Sequence, residues 1–323
     1  MMPHHSPLSQ PERTEVLAAV ARSPVLAALV PALGNIERLA GLTNRNYRIE
    51  FADRACVLRL PGPGTERYID RRAERHNAAI AAEIGLGPDV LFFDAESGVM
   101  LTRYAEDSEP LTARRLRDAQ TLRTAVGILA TLHRSGRQFH GQMDLFPKLD
   151  AYLALAAKMG QPAPAALLAA RESAEPVRRA LDRLRQPLAP CHIDPSPHNF
   201  LVSTASPKRG KTVLLDWEYA AMGEPLWDLA GLSVEGEFDH DQDATMLREH
   251  GAGASSAGLE HLRLYKGALA LLAAAWAQAQ RALGADNDVD YGAFREQRLD
   301  LARRWIGGDA LDRPVNYILP RQD

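Results

Sequence analysis

Apolar and polar residues alternate along the first hundred positions as they do in antiparallel strands. Residues 47–51 carry Tyr, Ile and Phe at every second position, and residues 56–60 return as an apolar run after a short turn. These two segments predict a β-hairpin. Residues 90–93 and 99–104 predict a second strand pair, with a turn that includes Gly98.

A helical period replaces this alternation further along the chain. Residues 69–84 predict a charged amphipathic helix that ends at Gly85. Residues 113–133 predict one long helix with Thr112 as its N-cap. Further helical segments are predicted at 12–33 (broken at Pro24 and Pro31), within 163–184, at 259–283 and at 291–305.

This order of elements, a β-rich part followed by a mainly helical part, indicates an α+β fold of the protein-kinase-like, two-lobe kind. Two short strands, at 200–202 and 212–215, interrupt the helical part. A polar stretch at 105–110 marks the expected boundary. The predicted domains are an N-terminal extension with a helix (1–34), a small β-rich N-lobe (35–106) and a large helical C-lobe (107–323).

Composition and charge exclude several classes of protein. Apolar residues make up 46% and charged residues 24% of the 323 residues, which is ordinary for a globular protein. The net charge of −3 gives no sign of a nucleic-acid-binding surface, and the short basic run at 207–211 is interpreted as a solvated turn. No apolar run approaches the ~20 residues that a membrane span needs.

The cysteine content and the N-terminus predict a cytoplasmic protein. Cys56 and Cys191 form no metal-binding or disulfide pattern, and reduced thiols explain them. Residues 1–10 are polar and lack the apolar core of a signal peptide, so we expect an unstructured lead-in. The sequence leaves the oligomeric state open.

Candidate chemistry is concentrated at residues 191–201. His192 and Asp194 form an H-x-D pattern, and Asn199 follows five residues after the aspartate. In phosphoryl transfer such an aspartate binds the acceptor hydroxyl, and such an asparagine binds a magnesium ion. A turn held by side-chain-to-backbone hydrogen bonds is the alternative interpretation.

A second acid strengthens the catalytic interpretation. Asp216 stands at the end of the apolar strand predicted at 212–215. Together with Asn199 it offers the oxygen ligands that Mg²⁺ prefers, whereas a lone Asp216 would be explained by a helix or turn cap. The two motifs at this spacing favour a metal site.

These residues carry a resemblance to a known family. Residues 216–219 (Asp-Trp-Glu-Tyr) and 227–230 (Trp-Asp-Leu-Ala) resemble the choline/ethanolamine kinase family, within the aminoglycoside-phosphotransferase-like superfamily. The resemblance extends from about residue 41 to about residue 280. Ile193 and Trp217 stand where the eukaryotic choline kinases usually have Asn and Phe, and both resemble the bacterial branch.

The resemblance implies that the N-lobe binds ATP. Residues 41–47, which include Asn44, are similar to the family's phosphate-covering loop. Arg59 matches an arginine that contacts phosphate, and the alternative is an exposed strand arginine. Glu74 is its expected ion-pair partner, and the alternative is that Glu74 is one of several solvated helix charges beside Arg71. Residues 100–104 are expected to form the hinge that holds adenine, with Leu101 to Arg103 as the contacting residues.

The same resemblance assigns an acceptor site in the C-lobe. Tyr219, Glu235 and Trp276 match residues that contact the substrate, and Ala273 stands where a second tryptophan would be. Aromatic faces and a carboxylate suit a quaternary ammonium. The alternative for the aromatic residues is core packing, since Tyr265 and Trp276 share a helical face with several leucines.

The function that the resemblance implies is transfer of the ATP γ-phosphate to the hydroxyl of a small amino alcohol, choline or ethanolamine, with Mg²⁺. In this hypothesis Asp194 orients and deprotonates the hydroxyl, Asn199 and Asp216 hold Mg²⁺, and His192 braces the loop. Thiamine or an aminoglycoside remains a possible acceptor, because the superfamily reuses this core. A nucleotide-binding pseudokinase is the non-catalytic alternative.

Overall fold

The structure, a computed structural model, describes residues 6–21, 23–28, 33–41, 43–51, 54–204, 212–285 and 289–308. The break at Pro31 and the basic run at 207–211 lie outside these ranges. Of the lead-in predicted to be unstructured at 1–10, residues 6–10 are described, and they include a short strand at Ser6–Pro7 and the first residue of a helix at Gln10. The chain divides into two compact units. The first comprises Met1–Glu109 and Leu201–Glu218, and the second Pro110–Phe200 and Tyr219–Asp323.

The first unit is built on a six-stranded antiparallel sheet with the strand order β1-β2-β3-β4-β6-β5. Its strands are β1 (Ser6–Pro7), β2 (Leu33–Leu39), β3 (Arg45–Phe51), β4 (Arg54–Leu60), β5 (Val90–Phe93) and β6 (Met100–Arg103). Both predicted strand pairs are present: β3 pairs with β4, with Tyr47 opposite Leu58, and β5 pairs with β6.

The N-terminal region differs from the prediction at 12–33. Two helices are present, α1 (Gln10–Ala21) and α2 (Pro24–Ala27), and Pro24 begins the second helix, where a missing N–H costs nothing. Leu33 belongs to strand β2 rather than to a helix. An irregular register between Leu33 and Ile36 breaks the strand alternation, which explains why the pattern did not reveal β2.

The sheet and α1 enclose the core of the first unit. Tyr47, Ile49 and Leu58 are fully buried, and Val16 of α1 packs with them. The predicted amphipathic helix is α3 (Arg71–Glu83), which begins two residues later than the predicted start at residue 69. Asp70 is its N-cap, because the Asp70 carboxylate accepts hydrogen bonds from the backbone N–H groups of Arg72 and Ala73.

A second, three-stranded sheet has the order β10-β9-β7, formed by β7 (Ser108–Pro110), β9 (Phe200–Ser203) and β10 (Val213–Leu214). Leu201–Glu218 therefore groups with the first unit, whereas the sequence analysis placed this segment in the predicted C-lobe at 107–323. The reason is backbone pairing: the Leu214 N–H donates to the Leu86 carbonyl at 2.7 Å, and the Thr204 N–H to the Asp107 carbonyl at 2.6 Å.

The second unit is mainly helical. Its elements are α4 (Ala119–His133), α5 (Leu145–Lys158), α6 (Ala165–Ser173), α7 (Glu175–Arg183), β8 (Ala189–Cys191), β11 (Ala221–Gly223), α8 (Pro225–Glu235), α9 (His240–His250), α10 (Ser256–Ala282) and α11 (Tyr291–Ile306). The long, Ala-rich α10 is central and packs against α5, α8 and α11. Among the helices described, none combines the length and hydropathy needed to cross a membrane.

The start of α4 corrects the predicted N-cap at Thr112. A short 3-10 turn at Arg115–Arg117 comes first, and Asp118 then adopts an extended conformation. The Asp118 carboxylate accepts a hydrogen bond from the Thr121 N–H at 2.8 Å and caps α4. Thr112 caps only the 3-10 turn, through a contact with the Arg115 N–H.

Candidate active site

A buried carboxylate on α8 holds the loop that contains the predicted catalytic residues. Asp228 is completely buried, and its two oxygens accept hydrogen bonds from the backbone N–H groups of His192 (2.8 Å) and Ile193 (2.7 Å). The neighbouring Trp227 donates its indole N–H to the Ile193 carbonyl at 3.0 Å. Ile193 has a φ of +74°, a strained conformation for a β-branched residue, and these three bonds stabilise it.

We call the bonds of Asp228 and Trp227 to the backbone of His192 and Ile193 the clamp. In the loop that the clamp holds, Asp194 and Asn199 are in direct contact. The Asn199 amide nitrogen donates to the Asp194 backbone carbonyl at 2.9 Å and lies 3.4 Å from its carboxylate. The Ser196 hydroxyl donates to the other carboxylate oxygen at 2.8 Å. Because the Asn199 nitrogen is engaged, its side-chain carbonyl oxygen is the atom that remains for a metal ion. Asp194 itself is half-buried.

His192 lies inside the second unit and is completely buried. Its backbone N–H donates to Asp228, and none of its side chain is exposed to solvent. This placement supports the bracing role that the sequence suggested over a proton-transferring role.

Two histidines that the sequence did not single out extend the clamp. His133, at the end of α4, lies 2.9 Å from Asp228 through Nε2 and 2.9 Å from His250 through Nδ1. Since the carboxylate can only accept, His133 donates to it through Nε2. Burial, and the proximity of His133, lower the pKa of His250 to about 4, so this ring is neutral at pH 7.

Cys191 lies beside the same clamp. The ligand atoms of His133, Cys191 and Asp228 lie within 4.8 Å of one another, as in a metal site. However, the oxygens of Asp228 already accept hydrogen bonds, and burial raises the pKa of the Cys191 thiol well above its usual value. The cluster therefore fits a hydrogen-bonded brace better than a metal centre.

In the first unit, the predicted pair of Arg59 and Glu74 is present and buried. Arg59 also donates to the Gly98 carbonyl at 3.2 Å. Burial alone would lower the pKa of Arg59, but the Glu74 carboxylate, together with Glu218 and Asp216, raises it. The guanidinium therefore stays charged.

Arg71 corrects the interpretation of α3, because it is buried rather than solvated. Its guanidinium bonds the carboxylates of Glu74 at 2.7 Å and Glu218 at 3.0 Å. Glu218 stands two residues after Asp216, so Arg71 connects the Arg59–Glu74 pair to the segment that carries the predicted metal ligand. Sequence reasoning missed this connection, since Arg71 looks like one of several helix-surface charges.

The predicted phosphate-covering loop is anchored at the same carboxylate. The Asn44 amide nitrogen donates to Glu218 at 2.8 Å, and the Thr43 hydroxyl lies 3.4 Å from Glu218. The loop also packs directly on Gly62, where a Cβ atom would lie 1.8 Å from the Thr43 carbonyl oxygen. The loop conformation thus depends on long-range hydrogen bonds to Glu218 and on the absence of a side chain at position 62.

Asp216 follows β10, as predicted, and has a φ of +63°. Strained backbone at a polar residue is frequent where a functional side chain must be aimed. The next residue, Trp217, is buried and donates its indole N–H to the Leu214 carbonyl at 2.8 Å, which fixes the chain around Asp216.

The predicted hinge residues lie within a strand. Leu101 is buried in β6, between β4 and β5, so its backbone belongs to the sheet. Arg103 donates its backbone N–H to the Asp89 carbonyl and pairs with the Asp89 carboxylate at 2.9 Å. This placement argues against adenine contacts from Leu101 and shifts that expectation to the chain after β6.

The predicted acceptor residues form part of an aromatic cluster in the second unit. The Trp276 indole N–H donates to the Tyr219 hydroxyl at 3.2 Å, and the Trp276 ring meets Tyr291 and Phe294 of α11 edge to face. Trp276 is partly exposed, whereas Tyr265 on the same helix is buried as a core residue. Sequence reasoning did not include Tyr291 and Phe294.

Glu235, the predicted substrate-side acid, is paired with Arg298 of α11. The two guanidinium nitrogens lie 2.7 and 2.9 Å from the two carboxylate oxygens. Arg298 in turn lies over the Phe294 ring, 4.6 Å from its centroid. Phe294 and Arg298 therefore join Glu235 to the cluster that contains Trp276.

Comparison with known proteins shows which family and fold this chain resembles. The model of the phosphotransferase enzyme family matches residues 35–265. A solved choline/ethanolamine kinase family protein from Mesorhizobium loti is 31% identical, with 95% of this chain and 98% of that chain covered and a TM-score of 0.77. Choline kinase LicA from Streptococcus pneumoniae is 26% identical, with coverage of 91% and 99% and a TM-score of 0.77.

A curated relative extends the comparison at the level of sequence. Protein LicA of Haemophilus influenzae is 28% identical over 214 residues, which cover 66% of this chain and 61% of that protein. The matched region therefore spans less than two thirds of that relative. The structural matches confirm the protein-kinase-like α+β fold predicted from the order of elements. The chain belongs to the phosphotransferase enzyme family and, within it, to the choline/ethanolamine kinase family.

Proposed function

We propose that the protein transfers the γ-phosphate of ATP to the hydroxyl group of a small amino alcohol, choline or ethanolamine. The observation that carries the proposal is the clamped loop that sets Asp194 beside Asn199. The choline kinase and choline/ethanolamine kinase matches support the substrate class. Buried free thiols at Cys56 and Cys191 fit a reducing compartment, and we place the protein in the cytoplasm.

Asp194 is proposed to bind the acceptor hydroxyl. The Ser196 hydroxyl and the Asn199 amide hold its carboxylate in one orientation, so one oxygen can accept the proton of the alcohol as the new bond to phosphorus forms. Little covalent chemistry is required of the protein in such a reaction, and a fixed orientation supplies most of the rate.

ATP is proposed to bind through residues of the first unit. Arg59 would neutralise phosphate charge, and the loop around Asn44 would cover the phosphates, with Glu74 and Glu218 holding these two groups in place. The backbone after β6, rather than Leu101 within it, is the candidate for the adenine contacts.

Magnesium is the divalent ion that these residues suit. Asn199 offers a carbonyl oxygen because its nitrogen is bound to Asp194, and Asp216 offers a carboxylate at the end of a strand. When bound, the ion would neutralise charge on the transferring phosphate. A pseudokinase is not favoured, since Asp194, Asn199 and Asp216 are all present.

A kinetic screen tests the proposal. ATP turnover is measured with choline, ethanolamine, thiamine and an aminoglycoside, with Mg²⁺ present and with Asp194→Asn as the inactive control. We expect phosphorylation of an amino alcohol that falls by about 10²–10⁴-fold in the variant. Turnover only with thiamine or the aminoglycoside, or equal turnover in the Asp194→Asn variant, would refute the proposal.

A further inference from the structure

The cluster of predicted acceptor residues, which we call the acceptor cluster, comprises Tyr219, Trp276, Phe294 and Glu235. It already contains two positively charged side chains of the protein. The first is Arg298, whose guanidinium bonds both oxygens of Glu235 in a parallel fork. Such bidentate pairs are strong and geometrically fixed. Arg298 is largely buried and also rests on Phe294, so it is well placed to remain on the carboxylate. The net charge that Glu235 presents to a ligand is therefore close to zero.

The second resident charge is Lys148 of α5. Its amino nitrogen lies 5.0 Å from the ring centroid of Tyr152 and 6.0 Å from that of Tyr219. These distances fall within the range of cation–π contacts. Burial lowers the pKa of Lys148. The two ring faces in turn favour the charged form of Lys148, so a cation of the protein occupies part of the ring surface that the family resemblance assigns to the substrate.

Both charges belong to one continuous group of side chains. Arg298 contacts Phe294, the Phe294 ring lies 5.9 Å from the Trp276 ring, and Trp276 is hydrogen-bonded to Tyr219. Lys148 lies over Tyr219 at the other end. Two of the three groups expected to hold a substrate cation, Glu235 and Tyr219, therefore have a protein cation on or near them.

The two kinds of amino alcohol respond differently to such a site. A primary ammonium carries N–H groups that can donate to the remaining lone pairs of a carboxylate already bound to arginine. A quaternary ammonium has no N–H group and depends on net negative charge and on open aromatic faces. Arg298 removes most of the net negative charge at Glu235, and Lys148 covers part of the aromatic face of Tyr219.

We propose that Arg298 and Lys148 are specificity-determining residues, which make the acceptor site select a primary amino alcohol of the ethanolamine type over a quaternary one. This inference rests on the proposed function, because it assumes that the cluster around Tyr219 binds the acceptor.

The test compares kcat/KM for ethanolamine and choline in the wild type and in the variants Lys148→Met and Arg298→Met. Matched controls are Lys158→Met, at the exposed end of α5, and Arg303→Met, on the exposed face of α11. We expect the wild type to prefer ethanolamine. Each variant should shift the ratio towards choline by about threefold or more, as expected for the gain or loss of one cation–π contact. The controls should leave the ratio unchanged.

A ratio of two substrates separates specificity from general damage, since a structural defect lowers both values together. If Arg298→Met fails to fold by circular dichroism, the Lys148→Met ratio decides alone, and Arg298→Lys tests whether a cation without the fork retains the preference. A wild type that prefers choline, or a Lys148→Met ratio equal to that of the wild type, overturns the inference while the kinase function stands. A wild type that phosphorylates neither amino alcohol refutes the proposed function and the inference with it.

Discussion

The carboxylate of Asp228 accepts the backbone N–H of Ile193 at 2.7 Å, at the one point in the catalytic loop where the backbone is strained. The same carboxylate also bonds the His192 N–H and the His133 ring. Asp228, together with the Trp227 indole that bonds the Ile193 carbonyl, thus stabilises the conformation of the residue that precedes Asp194.

We expect Asp228→Asn to weaken both stability and turnover. Three donors face this carboxylate: the N–H groups of His192 and Ile193 and the His133 ring. An asparagine replaces one accepting oxygen by a donating NH2 group, so at least one buried donor loses its partner, at a cost of about 1–3 kcal/mol. Urea unfolding measures the loss, and kcat should fall with little change in the KM for ATP. Asp300→Asn, at a surface pair with Arg303, is the control and should stay within about 0.5 kcal/mol of the wild type. Equal effects in the two variants would show that the clamp contributes nothing.

Stability should fall as the pH is lowered from about 6.5 towards about 4, in part through His261. Burial lowers the pKa of His261 from 6.5 to about 4 in the folded protein. The unfolded chain therefore binds this proton first, and the contribution is complete above pH 6.5 and is lost as the pH falls towards 4. Its maximal slope is roughly 1.4 kcal/mol per pH unit.

The variant His261→Phe keeps a ring and removes the titration. Unfolding free energies of wild type and variant, measured in urea at several pH values, should diverge below pH 6.5 in favour of the variant. Parallel curves would mean that His261 titrates alike in both states. Because carboxylates titrate in both proteins, the difference between the curves isolates the histidine.

Removal of Arg71 should break the connection between the Arg59–Glu74 ion pair and Glu218, which follows β10. Arg71→Met leaves two buried carboxylates, Glu74 and Glu218, short of a partner, and breaking a buried pair in this way costs about 3–5 kcal/mol. We expect a lower unfolding midpoint and weaker ATP binding by calorimetry.

Arg72→Met, one residue further on the exposed side of α3, is the matched control and should bind ATP as the wild type does. Arg71→Lys should recover part of the stability and less of the ATP affinity, because an ammonium cannot bridge two carboxylates in a fixed plane. ATP affinity that is unaffected in Arg71→Met would contradict a positioning role.

Asp216→Ala should remove the magnesium-dependent part of ATP binding. The carboxylate is proposed as an oxygen ligand, and its loss leaves the ion with fewer protein donors. ATP affinity is measured with Mg²⁺ and with EDTA, in the variant and in Asp182→Ala, a surface carboxylate paired with Arg178 on α7. The EDTA values should agree, whereas the gain on adding Mg²⁺ should survive only in the wild type and in Asp182→Ala. An undiminished gain in Asp216→Ala would remove the metal assignment.

Local patterns accounted for much of the fold. The β3–β4 hairpin, the β5–β6 pair and α3 each depend on residues close together in sequence, where alternation, helical period and glycine stops are informative. The exceptions have local causes too: an irregular register concealed β2, and Asp118 rather than Thr112 caps α4.

The site divides in the same way. The contact of Asp194 with Asn199 spans five residues and was visible as a motif. The bond between Arg71 and Glu218 spans 147 residues, and that between His133 and Asp228 spans 95. No periodicity reveals such pairs, because they arise only when distant segments are buried together. Glu235 was predicted, but its neutralisation by Arg298 depends on packing between α8 and α11 that the sequence does not show.

Gly62 has a consequence for how this sequence can vary. The first atom of any side chain at this position would collide with the carbonyl oxygen of Thr43 at 1.8 Å, a distance that no bond rotation of that side chain can relieve. The tolerance of position 62 to mutation is therefore set by a backbone oxygen in another segment, independent of the size or polarity of the replacement. In a saturation library scored by growth or turnover, alanine at position 62 should score as badly as tryptophan. Glycine alone should be tolerated there, although it has no side chain that could contact a ligand.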